Sequence, residues 1–376
     1  MQTQSLNKKI VITTIILAIF GLIMVFDGSM GLVAQRYHYI MLQSIWMVIG
    51  SIAAFIMYKF DYKKLKNYSF FLITVTIIFL FIVYFFSSKI NGSQRWISLF
   101  GVTSFQPSEF AKLFFILYIS AWLTKFQEKK SLLIKDTKDN IKNFLIPYLI
   151  ITMVIAGMIL IEKDMGTTII IVSISIFILF ANDNNNFFVI DFIITSLTYL
   201  GLGIISIIIE PYRLQRLLTY LKGNHSTSTN LGSGYQVHQI LIAIGTGGLT
   251  GVGFTQSIQK NQYLVGNTAI TDSIFAIIAE ELGLIGALVL IALYLYLIYL
   301  ILKVATNTDD YFGKLVATGI AAWIGIQAFI NIAANIGVIP LTGVPLPLIS
   351  YGGSSVIALL TSIGIVLSIN SKHNAK

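Results

Sequence analysis

Apolar residues gather into long runs along this chain. Ten runs stand out, at roughly 10–26, 40–58, 68–86, 106–124, 143–161, 166–181, 187–209, 271–302, 314–336 and 351–370. A backbone that crosses lipid must satisfy its own hydrogen bonds, so the pattern predicts helices. The expected fold class is an all-α polytopic membrane protein with about ten transmembrane helices, in one integral membrane domain over 1–376. Runs six and ten fall short of the about 20 residues of a full crossing. They are expected to tilt or to borrow flanking residues. Run eight is long and is expected to start outside the bilayer.

The longest polar interruption, about Glu210 to Ile270, separates the seventh and eighth runs. It holds a polar tip, KGNHSTSTNLGSG, then an apolar, glycine-rich stretch, YQVHQILIAIGTGGLTGVGF. The second stretch reads as an interfacial or re-entrant segment. ANDNNN reads as a short polar turn, and no direct or inverted repeat is evident.

An even number of spans puts both termini on one side. With that side cytoplasmic, sixteen Lys and Arg residues lie inside, eight lie outside, and Lys112 lies within a span. The bias supports cytoplasmic termini and makes the interruption at 210–270 a large extracytoplasmic loop. KFQEKKSLLIKDTKDNIKN is then a cytoplasmic loop. The basic, apolar N-terminus lacks a small-residue cleavage site and reads as an uncleaved first span.

Composition agrees with a membrane protein. Hydrophobic residues make up 56% and charged residues 11%, where soluble domains carry about 25% charged residues. Mean hydropathy is +0.82. The net charge of +9 follows the topology rather than pointing to nucleic acid. There is no cysteine, so thiolate and disulfide chemistry are excluded, and His38, His225, His238 and His373 lack metal-ligand spacing.

Candidate chemistry clusters at the outer ends of the spans. Glu109, Glu162, Asp164, Glu210, Asp272, Glu280 and Glu281 all fall there, with Arg95, Lys112, Lys163, Arg213 and Arg216. Pro107 suits a first helical position and Glu109 faces the positive helix end, so capping is one explanation of Glu109. Capping does not explain Lys112, which lies one turn deeper on the same face. The two form either an ion pair inside the bundle or the lining of an outward polar cavity. Asp272 opens a helix and is either a cap or a working acid. Glu280 and Glu281 lie about two turns further in if that helix is regular. NIGVIPLTGVPLPLISYGGSS holds three of the six prolines, and amides near Gly352 and Gly353 are candidates for holding a phosphate. These residues alone fit an enzyme acting on a lipid-borne substrate and fit a transporter almost as well.

The stretches NGSQRWI, FQPSEFAK, YQVHQILIAIGTGGLTGVG, TDSIFAIIAEELGLIG and PLTGVPLPLISYGGSS occur in that order along nearly the whole chain. In this the chain resembles the SEDS family of FtsW, RodA and SpoVE type. The resemblance implies a peptidoglycan glycosyltransferase that polymerises lipid II into nascent glycan at the outer face of the bacterial plasma membrane. It implies a class B penicillin-binding protein as partner, divisome or elongasome proteins around it, and a divalent cation, Mg or Mn. A lipid II flippase or a non-catalytic scaffold for the penicillin-binding protein is the alternative. The family's essential aspartate maps onto Asp272, its QPSE glutamate onto Glu109, the following lysine onto Lys112, and its RW pair onto Arg95 and Trp96. Gln239, Tyr351, Gly352, Gly353 and Ser354 lie in matching stretches and are expected to bind substrate. One departure is local: the family's Pro-Glu-x-His-Thr-Asp-Phe is replaced by GNTAITDS. QSIQKNQYL leans to the division type and TGVPLPL to the elongation type, with division favoured. The implied chemistry needs a base for the acceptor 4-hydroxyl, here Asp272, and positive groups for the departing pyrophosphate or for orienting acids, here Arg95 and Lys112.

Overall fold

In a computed structural model of the chain, the apolar runs form helices. The structure describes residues 2–31, 36–87, 95–99, 103–182, 187–210, 213–214, 217–218, 220, 233–263 and 266–373. In chain order the main helices are α1 (Gln2–Gly28), α2 (Arg36–Lys59), α3 (Tyr62–Phe86) and α4 (Pro107–Leu133). They continue with α5 (Thr137–Ile161), α6 (Met165–Ala181), α7 (Phe188–Ile209), α8 (Ser233–Gly247), α9 (Ile274–Asn307), α10 (Tyr311–Asn335) and α11 (Gly353–His373).

Eight of these are long and apolar enough to cross a membrane. Two more match the fourth and sixth apolar runs. α4 spans 27 residues but opens on the charged pair Glu109 and Lys112. α6 is apolar but has only 17 residues. α8 lies in the long loop. An addition to the all-helical expectation is a short antiparallel pair, β1 (Ile97–Leu99) with β2 (Thr103–Phe105), in which Ser98 faces Ser104. Most of the polar tip of the long loop and of ANDNNN lies outside the described residues.

Burial separates the helices into a centre and a shell. The apolar windows of α10 and α11 are 72% and 78% buried, against 11% for α7. α11 packs mainly on α2, and α10 on α9 and α6. Small residues permit the close approach, as is usual where lipid offers no hydrophobic drive between helices. A Cβ on Gly364 of α11 would lie 2.3 Å from the Ala54 carbonyl oxygen of α2. The shell presents Ile, Phe and Val outward, including Ile12, Ile15 and Ile19 of α1 and Phe70, Phe81 and Phe85 of α3. So wide an apolar surface suits lipid, not water.

The eighth run is not a regular helix. Gly283 has φ 65° and ψ −168° and breaks α9 into a short first piece and a long second one. A break frees backbone groups that must find partners in an apolar setting. The glycine-rich stretch after α8 supplies them. Val252 and Gly253 amides donate to the Glu280 and Glu281 carbonyls at 2.9 and 3.1 Å. Leu284 and Ile285 amides donate to the Gly248 and Leu249 carbonyls at 2.9 and 3.1 Å. A Cβ on Gly251 would meet the Glu281 carbonyl at 2.0 Å. The stretch read as interfacial or re-entrant is thus docked by its backbone onto the break in α9.

Candidate active site

Asp272 lies just before α9, with its side chain partly exposed. Its backbone is held on several sides. The Asp272 carbonyl accepts from Nδ2 of Asn331 and of Asn335, both at 2.9 Å. The preceding Thr271 carbonyl accepts from Ser350 Oγ, and the Ile270 carbonyl accepts from the Tyr351 amide at 2.8 Å. Thr271 Oγ1 donates to Asp272 Oδ1 at 3.0 Å. Gln236 of α8 donates to Ser273 Oγ at 3.1 Å. The peptide is clamped while the residue itself is only half-buried.

Glu109 and Lys112 form a buried ion pair, Nζ to Oε1, at 2.9 Å. Lys112 Nζ also donates to Gln327 Oε1 at 2.8 Å and lies 5.0 Å from the Trp323 ring centre. Trp323 Nε1 donates to the same Gln327 oxygen at 2.7 Å. Glu109 makes no hydrogen bond to the amides of the first turn of α4, and its Oε2 is buried without a partner. Dipole attraction remains available to it, but hydrogen-bonded capping is not its role. Of the two readings, the enclosed ion pair describes Lys112: its side chain is 0% exposed and does not line an open cavity.

The pair and Asp272 share a scaffold. Trp323, Gln327, Asn331 and Asn335 recur every four residues on α10 and form one stripe. Gln327 Nε2 and Asn331 Nδ2 also hold the Pro345 and Val344 carbonyls, at 2.9 and 2.8 Å, in the irregular segment before α11. Sequence reading missed this stripe. Its signal was present: three amides at a four-residue spacing inside an apolar span require partners.

The SYGGSS segment packs against α2 and the start of α4. The Gly352 amide donates to Gln43 Oε1 at 3.2 Å, so it is taken and not open to a phosphate. A Cβ on Gly353 would stand 2.7 Å from Trp46 Nε1, so that glycine makes room for the indole. Ser354 Oγ accepts from the Gln106 amide at 3.0 Å and fixes the start of α4. Tyr351 stands edge-on to Tyr39 at 5.1 Å. Gln239 is buried on α8.

Arg95 and Trp96 precede β1. Arg95 donates to the Lys163 carbonyl and lies 3.8 Å from Asp164, and the Trp96 carbonyl accepts from Ser87 Oγ at 2.6 Å. Asp164 caps α6 by accepting from the Thr167 amide at 3.1 Å and also accepts from Gln106 Nε2 at 3.3 Å. In the same turn between α5 and α6, Glu162 is buried with neither carboxylate oxygen partnered. Burial first, and Asp164 second, push its pKa up to about 9. An acid raised in this way holds a proton in the fold that the unfolded chain has lost. Stability therefore falls as pH rises from the unfolded value of about 4.5 towards 9. Glu162→Gln should raise the melting temperature more at about pH 8 than at about pH 5. Equal melting shifts at both pH values would remove this assignment.

A third charged cluster lies under the long loop. Lys260 Nζ bridges Asp27, at 2.6 and 2.7 Å, and Glu281, at 2.5 Å. Ser257 Oγ donates to Glu280 at 2.5 Å. Glu280 and Glu281 are thus occupied in holding the loop. Among the described residues, no group of three or more His, Asp or Glu side chains is placed to hold a metal ion.

Comparison with known proteins agrees with the fold. The family model described as "Cell cycle protein" (FtsW, RodA, SpoVE) matches residues 7–375. A Coxiella burnetii protein named "Probable peptidoglycan glycosyltransferase FtsW" is 37% identical, covering 97% of this chain and 96% of that protein. The protein of the same name from Nitrosomonas europaea is 34% identical, covering 99% and 94%. Among solved structures, a chain from a work on "structural coordination of polymerization and crosslinking by a peptidoglycan synthase complex" matches with TM-score 0.76 and 24% identity, over 98% of both chains. The rod shape determining protein RodA of Thermus thermophilus matches with TM-score 0.68 and 21% identity, over 98% of this chain and 97% of that one. By its family match and its relatives over nearly full length, the chain is a multi-pass membrane protein of the FtsW/RodA/SpoVE (SEDS) family.

Proposed function

We propose that this protein is a peptidoglycan glycosyltransferase that polymerises lipid II at the outer face of the plasma membrane, with Asp272 as general base. The observation that supports the base most strongly is its combination of a clamped peptide and a half-buried residue. Positioned groups of this kind are what proton transfer at a fixed atom requires. The names of the relatives support the reaction class.

The acceptor sugar's 4-hydroxyl attacks the anomeric carbon of the donor. The new C–O bond forms as the bond to the pyrophosphate oxygen breaks. Asp272 takes the hydroxyl proton, and the pyrophosphate leaves with its electron pair on the lipid carrier. Arg95 is the nearer candidate for the leaving group, because its side chain is partly exposed whereas that of Lys112 is sealed. Lys112 then orients Glu109 and Gln327 from within the bundle. A divalent cation would add charge at the pyrophosphate. Among the described residues no group of three or more acids or histidines is placed to hold it.

Cytoplasmic termini, a class B penicillin-binding protein as partner and a role in division rather than elongation belong to the same proposal. The neighbouring structure named for polymerization and crosslinking supports the partnership. Topology is testable because the chain has no cysteine of its own. An impermeant thiol reagent on whole cells should label Gln256→Cys and spare Lys135→Cys, both exposed positions. The reverse pattern would invert the topology. The function itself is tested by labelled lipid II supplied to purified protein, read as glycan ladders on a gel.

A further inference from the structure

We infer that the outer end of α1 is a seat that fixes the loop bearing Asp272, with Asp27 and Lys260 as positioning residues. The inference rests on Asp272 being the base. Two contacts pin the loop to α1, one on each side of residues 261–269. Before that stretch, Lys260 Nζ sits between both Asp27 oxygens and Glu281 Oε1. Its own backbone lies against α1's end, where a Cβ on Gly31 would stand 2.4 Å from the Lys260 carbonyl oxygen. After it, Ile270 packs on the same helix end, where a Cβ on Gly28 would lie 2.9 Å from Ile270 Cγ2. Asp272 follows two residues later. Asp27, Gly28 and Gly31 thus fall within five consecutive residues and meet both ends of one loop segment.

The charge arrangement does not read as optimised for stability. Asp27, Glu280 and Glu281 are all buried around a single buried lysine. Glu281 Oε2 has no partner. Such groups in a low-dielectric site cost desolvation, and apolar side chains of similar volume usually pack at least as well. What the cluster does supply is register. It ties α1 (Asp27), the loop (Ser257, Ile258, Lys260) and α9 (Glu280, Glu281) at one point. Other ties on residues 270–272 come from α10, from the segment before α11 and from Thr268. α1 adds a support from a further element of the fold.

The test uses Asp27→Asn as the principal variant. Asparagine keeps the volume, can still accept from Lys260, and relieves the excess negative charge, so a merely structural role predicts unchanged or higher stability. A positioning role predicts a kcat for lipid II polymerisation at least about tenfold lower, since misplacement of a reacting group by about an ångström can cost a hundredfold. KM should stay within about threefold, because the variant is remote from the binding groups. Lys260→Arg should retain more activity than Lys260→Met. A readout independent of activity is the thiol of Asp272→Cys, the single cysteine in that protein. Its reaction with a maleimide should change several-fold on adding Asp27→Asn, below the melting temperature, while a control thiol at exposed Asn307 keeps its rate. If Asp27→Asn leaves both kcat and the Asp272→Cys reactivity within twofold, the seat is wrong, even if Lys260→Met fails to fold. If the reactivity shifts but Asp272→Asn still polymerises lipid II, the seat stands and the base is wrong.

Discussion

Replacing Asp272 by Asn is expected to lower the rate of lipid II polymerisation at least about a hundredfold, the lower end of the usual contribution of general-base catalysis. The amide has nearly the size of the carboxylate but cannot take the acceptor's proton. The fold has little reason to change, because Asn331 and Asn335 hold the backbone carbonyl rather than the side chain. Melting temperature and partner binding should therefore stay near wild type. Asp272→Glu keeps the charge but moves it by a methylene, and a trace of activity is expected. A rate within a few-fold of wild type for Asp272→Asn would send the search to another acid. Glu280 is then a weak candidate, since its carboxylate is spent on Ser257 and Ile258. Glu162 has both oxygens unpartnered, but the proton it holds in the fold makes it no better a base near neutral pH.

The second large effect concerns Glu109 and Lys112. Both are buried, so removing one leaves the other charged without its partner, at a cost of about 3–5 kcal/mol. Lys112→Met strands Glu109, whose Oε2 already lacks a partner. Glu109→Gln leaves Lys112 with Gln327 and the Trp323 face, and should be the milder change. The double variant Glu109→Gln, Lys112→Met should be more stable than Lys112→Met alone, because no buried charge remains. Its loss should fall well short of the sum of the two single losses, which is the signature of coupled residues. Thermal melting in detergent reads the stability part, and polymerisation rates read the rest. Single variants as stable and active as wild type would mean that Glu109 serves only the helix dipole and that Lys112 is dispensable.

The helices were legible in the sequence because lipid leaves few choices. A run such as 314–336 has to be helical, and α10 covers Tyr311–Asn335. The break in the eighth run was not legible, since Gly283 looks like any glycine in an apolar helix. Only its backbone contacts with Gly248, Leu249 and Gly251 reveal that the chain must leave helical geometry there. In the site, Glu109 with Lys112 could be read because helical spacing brings i and i+3 together. Lys260 with Asp27 could not, because 233 positions separate them and no local rule joins them. The neighbours of the Gly352–Gly353 pair were hidden for a related reason. Free amides and tightly packed glycines look alike in a sequence, and the contacts of Gln43 and Trp46, three residues apart on α2, are visible only in the fold.

The most direct measurement is glycan synthesis by the purified protein. Labelled lipid II would be given to wild type and to Asp272→Asn, each alone and each with a class B penicillin-binding protein whose crosslinking site has been blocked. Glycan ladders from wild type, with or without help from the partner, and none from Asp272→Asn are the expected result. Ladders of equal length and yield from both proteins, or no ladder from wild type under either condition, would contradict the assignment.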